Sequence, residues 1–108
     1  MNNCYIEDIK RISNILTKLN LCHSERDFST KVLKRNPTYM SSKRSSKCNL
    51  GIPALTNLIM YINKYKDSSS VNDTMKRILC EQYNITSEII RQQLQSRVNN
   101  GAVLYLPD

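Results

Sequence analysis

The chain has 108 residues, 40% apolar and 23% charged, with a net charge of +7. That is about one domain, with enough apolar matter to bury roughly two-thirds of its unfolded surface in a single core. Two glycines and three prolines are too few for a turn-rich β-sandwich, and the glycines stand so far apart that no glycine-rich phosphate loop exists, which excludes the common nucleotide-binding enzymes.

The four cysteines, at 4, 22, 48 and 80, lack the close pairs that build zinc sites, so free thiols in a reducing compartment are expected, with no metal and no other cofactor. Glu7 and Asp8 stand where a secretory signal would be basic, and the longest apolar run, Leu58 to Ile62, is far short of a membrane span. The expectation is a cytoplasmic, nucleoid-associated protein that meets no membrane.

Tyr5, Ile9, Ile12, Leu16 and Leu19 recur at steps of three and four, which predicts a first helix over about 5–20. Ser24 followed by Glu25 and Asp27 is a capping signal for a short second helix that buries Phe28, Val32 and Leu33. Asn36-Pro37 predicts the start of a third helix, ending near Ser45 with Met40 inward. Ile52-Pro53 opens a fourth, whose buried face is Leu55, Leu58, Ile59 and Ile62. The "YKDSSS" stretch reads as a loop, after which Ser70 to Asp73 repeats the capping pattern and Met75, Ile78, Leu79 and Tyr83 line a fifth helix. A turn with a cap at Asn84-Ile85-Thr86 then introduces a sixth over about 87–98, stopped by Asn99-Asn100-Gly101. The tail "AVLYLP" is expected to dock as an extended strand. The predicted architecture is thus all-α, a five- to six-helix bundle with a short C-terminal extended segment. Residues 1–66 form a basic half and 67–108 a helical pair with the tail, within one compact domain.

From Phe28 to Lys66 the chain carries eight lysines and arginines and no acid. The remainder carries eight basic and nine acidic residues, so all of the excess positive charge lies in this middle third. The block is not a solvated tail, because it contains two short helices with a tight turn between them and apolar residues that lock both to a core. Such a pair is the helix-turn-helix unit, whose second helix enters the DNA major groove. From Asn36 to Leu55, "NPTYMSSKRSSKCNLGIPAL" resembles the second half of the lambda-repressor/Cro-like pattern. Its parts are a cap at Asn36, variable contact residues, an apolar anchor with a following serine at Met40-Ser41, a polar turn over Lys47 to Gly51, and a fourth helix at Ile52 and Leu55. The Phe28-Ser29 pair and the Tyr39 to Ser42 run are similar to phage-like and proteobacterial small regulators. The resemblance covers residues 24 to 62. Where that family has a glycine in the turn at positive φ, this chain has Lys34, at a cost of about 1 kcal/mol, and the turn is one residue longer.

The chemistry fits the same target, since lysine and arginine neutralise phosphates while serine, threonine, asparagine and tyrosine hydrogen-bond to phosphates or base edges. Thr38, Ser42 and Lys43 share the outward face of the third helix and are the expected base contacts, with Lys43 able to reach guanine O6 or N7. Lys31, Lys34, Arg35, Tyr39, Arg44 and Lys47 are the expected phosphate contacts. The function so read is sequence-specific double-stranded DNA binding in transcription regulation.

No catalytic constellation is visible: the nine acids are scattered, the single histidine stands apart from them in sequence, and no small-molecule substrate is expected. The rival class is a small interaction module, an antitoxin or transcription adaptor, that binds an acidic protein. The C-terminal half also resembles the end of a winged helix, which would turn Arg91, Gln92, Gln95 and Arg97 to DNA. The preferred reading of that half is homodimerisation through Ile89, Ile90 and Leu94, with Val103 to Leu106 adding a strand edge.

Overall fold

The protein is seen here as a computed structural model that describes residues 5–69 and 71–99. Its elements are α1 (Ile6–Lys18), α2 (Glu25–Asp27) running directly into a π-helical turn (Phe28–Val32), α3 (Tyr39–Ser45), α4 (Ile52–Lys66) and α5 (Asp73–Asn99). The described residues contain no strand, and the fold is all-α as the sequence predicts. The tail "AVLYLP", expected to be extended, lies outside the described residues, as does Ser70.

α1 forms because its apolar residues fall on one stripe: Ile6, Ile9, Ile12 and Leu16 are buried, and Glu7 and Asp8 lie in the positive first turn. Ser24 caps α2 as expected, its Oγ accepting the Asp27 N–H at 3.1 Å. Phe28, Val32 and Leu33 then enter the core with no measurable exposure. The helix widens there: the Leu33 N–H donates to the Phe28 carbonyl, one residue beyond α-helical register, and the Arg35 N–H to the Ser29 carbonyl, two residues beyond it.

The third helix starts later than its sequence signal. Asn36 and Pro37 precede it, and the Asn36 carboxamide accepts from the Thr38 N–H at 3.1 Å, closing a side-chain turn that delivers the chain to Tyr39. Proline therefore stiffens the approach and does not occupy the first helical turn. Pro53, by contrast, sits in the first turn of α4.

The larger departure is α5, where the sequence predicts two helices broken at Asn84–Thr86 and the protein builds one. Residues 73–99 contain neither glycine nor proline, so nothing in the backbone chemistry forces a break. Thr86 is fully buried and its Oγ1 donates to the Gln82 carbonyl at 2.8 Å, a back-bond that a threonine makes inside a helix. The cap of α5 is Asn72, whose Oδ1 accepts the Met75 N–H at 2.8 Å.

α4 and α5 form a helical hairpin, the most extensive pairing in the fold, and α1, α2 and α3 close over its apolar side. One cluster joins them: Ile9, Ile12, Leu16, Phe28, Leu33, Met40, Leu50, Leu55, Leu58, Ile62, Leu79 and Ile89 are all within it. Each such side chain contributes roughly 1.5–3 kcal/mol of burial free energy, so the short α2 and α3, which could not persist alone, are held by Phe28, Leu33 and Met40.

Candidate nucleic-acid interface

Two polar ties fix α3 relative to α2. Ser29, fully buried, donates its hydroxyl to the Glu25 carbonyl at 3.1 Å and accepts the Met40 N–H at 3.2 Å. It thereby satisfies one of the orphan donors at the start of α3. On the outer side, Glu25 accepts from Arg44 (Nε at 3.2 Å, NH2 at 2.6 Å) and from Lys10 Nζ at 3.0 Å. Burial alone would push the Glu25 carboxyl up, but the hydrogen bonds from Arg44 and Lys10 outweigh it and hold the group below the ordinary carboxylate range.

Arg44 thereby has a structural partner besides the phosphate contact expected of it. Its guanidinium makes a forked contact to Glu25, which braces α3 against α2.

The remaining expected contacts fall on two surfaces. Thr38, Ser42 and Lys43 lie on α3 or its cap, with Thr38 and Ser42 exposed and Lys43 half-buried. The Thr38 hydroxyl donates to Asn36 Oδ1 at 3.0 Å. Tyr39 is half-buried, and its hydroxyl oxygen accepts the Gly51 N–H at 3.3 Å while keeping its own hydrogen to donate outward. Arg35 and Lys43 stand over the Tyr39 ring at 5.9 and 5.4 Å from its centroid, so one aromatic ring gathers two cations beside α3. Lys31 and Lys34 lie instead along a groove against α4, where they meet Lys64. Lys64 belongs to the acid-free block, but its alignment with these lysines is set by the packing of α4 on α2 and has no local sequence signal.

The backbone at both ends of α3 is unusual in a matching way. Lys34, before it, has φ 57°, and Lys47, after it, has φ 52°. Lys47 closes a regular helix C-cap, its N–H bonding the Arg44 carbonyl at 3.2 Å and the next N–H bonding the Lys43 carbonyl at 2.9 Å. Asn20 does the same after α1 at φ 62°. Asparagine tolerates this region, whereas a lysine there gives up about 1–2 kcal/mol that glycine would not. The expectation of positive φ at Lys34 holds, and Lys47 is a second instance that the sequence reading did not single out.

The C-terminal residues proposed for dimerisation are placed differently from one another. Ile89 is 4% exposed and packs within the chain's own core, because the unbroken α5 turns it toward α4; it offers no face to a partner. Ile90 packs at the edge of the same core and Leu94 is half-buried. Of the residues in the winged-helix alternative, Arg91 pairs with Glu88, and Gln92 bonds both Glu88 and the Tyr5 hydroxyl. The side chain of Arg97 and the segment Val103–Leu106 lie outside the described residues.

Among the described residues no group of histidines, cysteines and acids could hold a metal, and no helix is long and apolar enough to cross a membrane. Cys22, Cys48 and Cys80 are free thiols, and burial pushes the Cys22 thiol up.

Comparison with curated proteins and with solved structures gave no match. A family model does match: that of DUF6626, a family of unknown function, over residues 9–102. Since the match runs from within α1 through the whole of α5, this chain belongs to the DUF6626 family.

Proposed function

We propose that the protein binds double-stranded DNA in a sequence-dependent way, with α2 and α3 acting as a helix-turn-helix of the lambda-repressor/Cro-like kind and serving transcription regulation. The observation that carries this reading is the paired placement of lysines at left-handed backbone positions on either end of α3, around a face of exposed Thr38 and Ser42 and half-buried Lys43 with no acid in its sequence. Lysine stands where glycine would be the more stable choice, as expected when the cation itself serves there.

In this reading α3 lies in the major groove, Thr38, Ser42 and Lys43 meet base edges, and Arg35, Tyr39, Lys34, Lys31 and Lys47 meet phosphates. Arg44 supports the angle of α3 through Glu25. The activity is binding, without catalysis. Contact area for an operator comes from two-fold pairing of two chains, with Leu94 and Ile90 at the partner face in place of Ile89.

Replacement of Thr38 or Lys43 by alanine is expected to relax base preference at one or two positions, at a cost of about 1–3 kcal/mol, in a selection from random duplexes. Lys34→Gly should weaken all duplexes alike. Identical behaviour of the two kinds of variant across shuffled sites would remove α3 from the groove. Binding of an acidic polypeptide as tightly as of duplex DNA would favour the adaptor class.

A further inference from the structure

The π-helical turn after α2 and the outer edge of α4 enclose a groove of about 430 Å³, at the small end of the range of small-molecule sites, roughly 300–1,000 Å³. Its walls are apolar and aromatic. Val32, Met60, Tyr61 and Tyr65 line it, and the two tyrosine rings pack 5.0 Å apart at a tilt of 55°. Met60, 63% exposed, brings an accessible and polarisable apolar side chain to the edge of the groove. The polar groups of the walls are already engaged inward: the Tyr61 hydroxyl donates to the Leu21 carbonyl at 2.6 Å and the Asn57 carboxamide to the Leu33 carbonyl at 2.9 Å. The rim is cationic, made by Lys31, Lys34 and Lys64. None of these three pairs with a carboxylate among the described residues, and the Lys64 ammonium stands over the Tyr65 ring at 5.5 Å.

Aromatic walls, a polarisable thioether and three compact positive charges select an anion with a flat apolar body. We propose that this groove is a binding site for a small aromatic carboxylate. The ring lies against Met60 and the tyrosines, and the carboxylate sits among Lys31, Lys34 and Lys64. An inorganic anion would leave the apolar walls wet, and a neutral aromatic would leave the lysines unanswered. The site shares two lysines with the proposed DNA surface but does not depend on that reading.

The test follows the methyl resonance of Met60 in the full chain during titration with naphthoate, with naphthalene methanol and inorganic phosphate as the neutral and bodiless probes. A saturable shift with naphthoate is expected, with a Kd of roughly 1 mM or tighter for a ligand of this size, and weaker responses to the other two. Lys64→Gln, at an exposed position, should weaken naphthoate roughly 5-fold and leave the base preference of duplex binding unchanged. No saturable shift, an equal affinity for the neutral or the phosphate probe, or an unaltered Kd in Lys64→Gln would each overturn the proposal. In the wild-type chain, absence of naphthoate binding with duplex binding intact refutes this site alone, and naphthoate binding without duplex binding refutes only the DNA reading.

Discussion

Lys34 and Lys47 hold backbone conformations that an L-residue enters at a cost. Glycine at either position is expected to stabilise the fold by about 1 kcal/mol while lowering duplex affinity, and paired denaturant and binding titrations would reveal that opposition. Stabilisation without loss of binding would reduce both lysines to accidents of composition. Ser29 makes the reverse kind of contribution. In Ser29→Ala the buried Met40 N–H loses its acceptor, and a destabilisation of about 1–3 kcal/mol is expected in chemical denaturation. For Glu25, whose carboxyl titrates lower in the folded chain than when unfolded, the contribution to stability is fully present above the unfolded pKa and is lost as pH falls through the depressed folded value. Glu25→Gln should therefore flatten the acid limb of a stability–pH curve, and an unchanged limb would show that the Lys10–Glu25–Arg44 contact adds nothing.

Helices proved legible where one local signal decided them. The apolar stripe of α1, the Ser24 cap and the early proline of α4 each act within a single turn of chain, and each appears where the residues predict it. α5 departs from its local signal: Asn84-Ile85-Thr86 has the composition of a capped turn, while the choice between turn and helix rests on burial of Gln82 and Thr86 against the rest of the fold, which no local window contains. Because the helix is continuous, Thr86→Pro is expected to break it in the middle at a cost of about 3 kcal/mol; a turn would accept proline readily. Circular dichroism and thermal melting of that variant decide between them. The candidate site follows the same division. Its charge and hydroxyl content are written in residues 28 to 48, but the diversion of Arg44 to Glu25, the bridge through Ser29 and the meeting of Lys31 and Lys34 with Lys64 arise only when α2, α3 and α4 pack.

The excess charge of the chain lies in its middle third, and packing gathers that third around α3 and the α2–α4 groove while α5 carries the more balanced remainder. A molecule so divided should bind a polyanion through the α3 face and the neighbouring groove and leave α5 for self-association. Leu94→Glu is accordingly expected to shift the sedimentation of the chain from dimer to monomer with its helices retained; a wild type that is monomeric at tens of micromolar would remove the two-fold arrangement. The central claim is that the α3 side meets the phosphates of duplex DNA. With Arg44 engaged by Glu25, roughly four to five cations remain to displace counterions, each contributing about 0.9 to the slope of log affinity against log salt. The measurement is the duplex affinity of the full chain across a range of salt concentrations: a slope of about −4 is predicted, and a slope near zero would contradict the account.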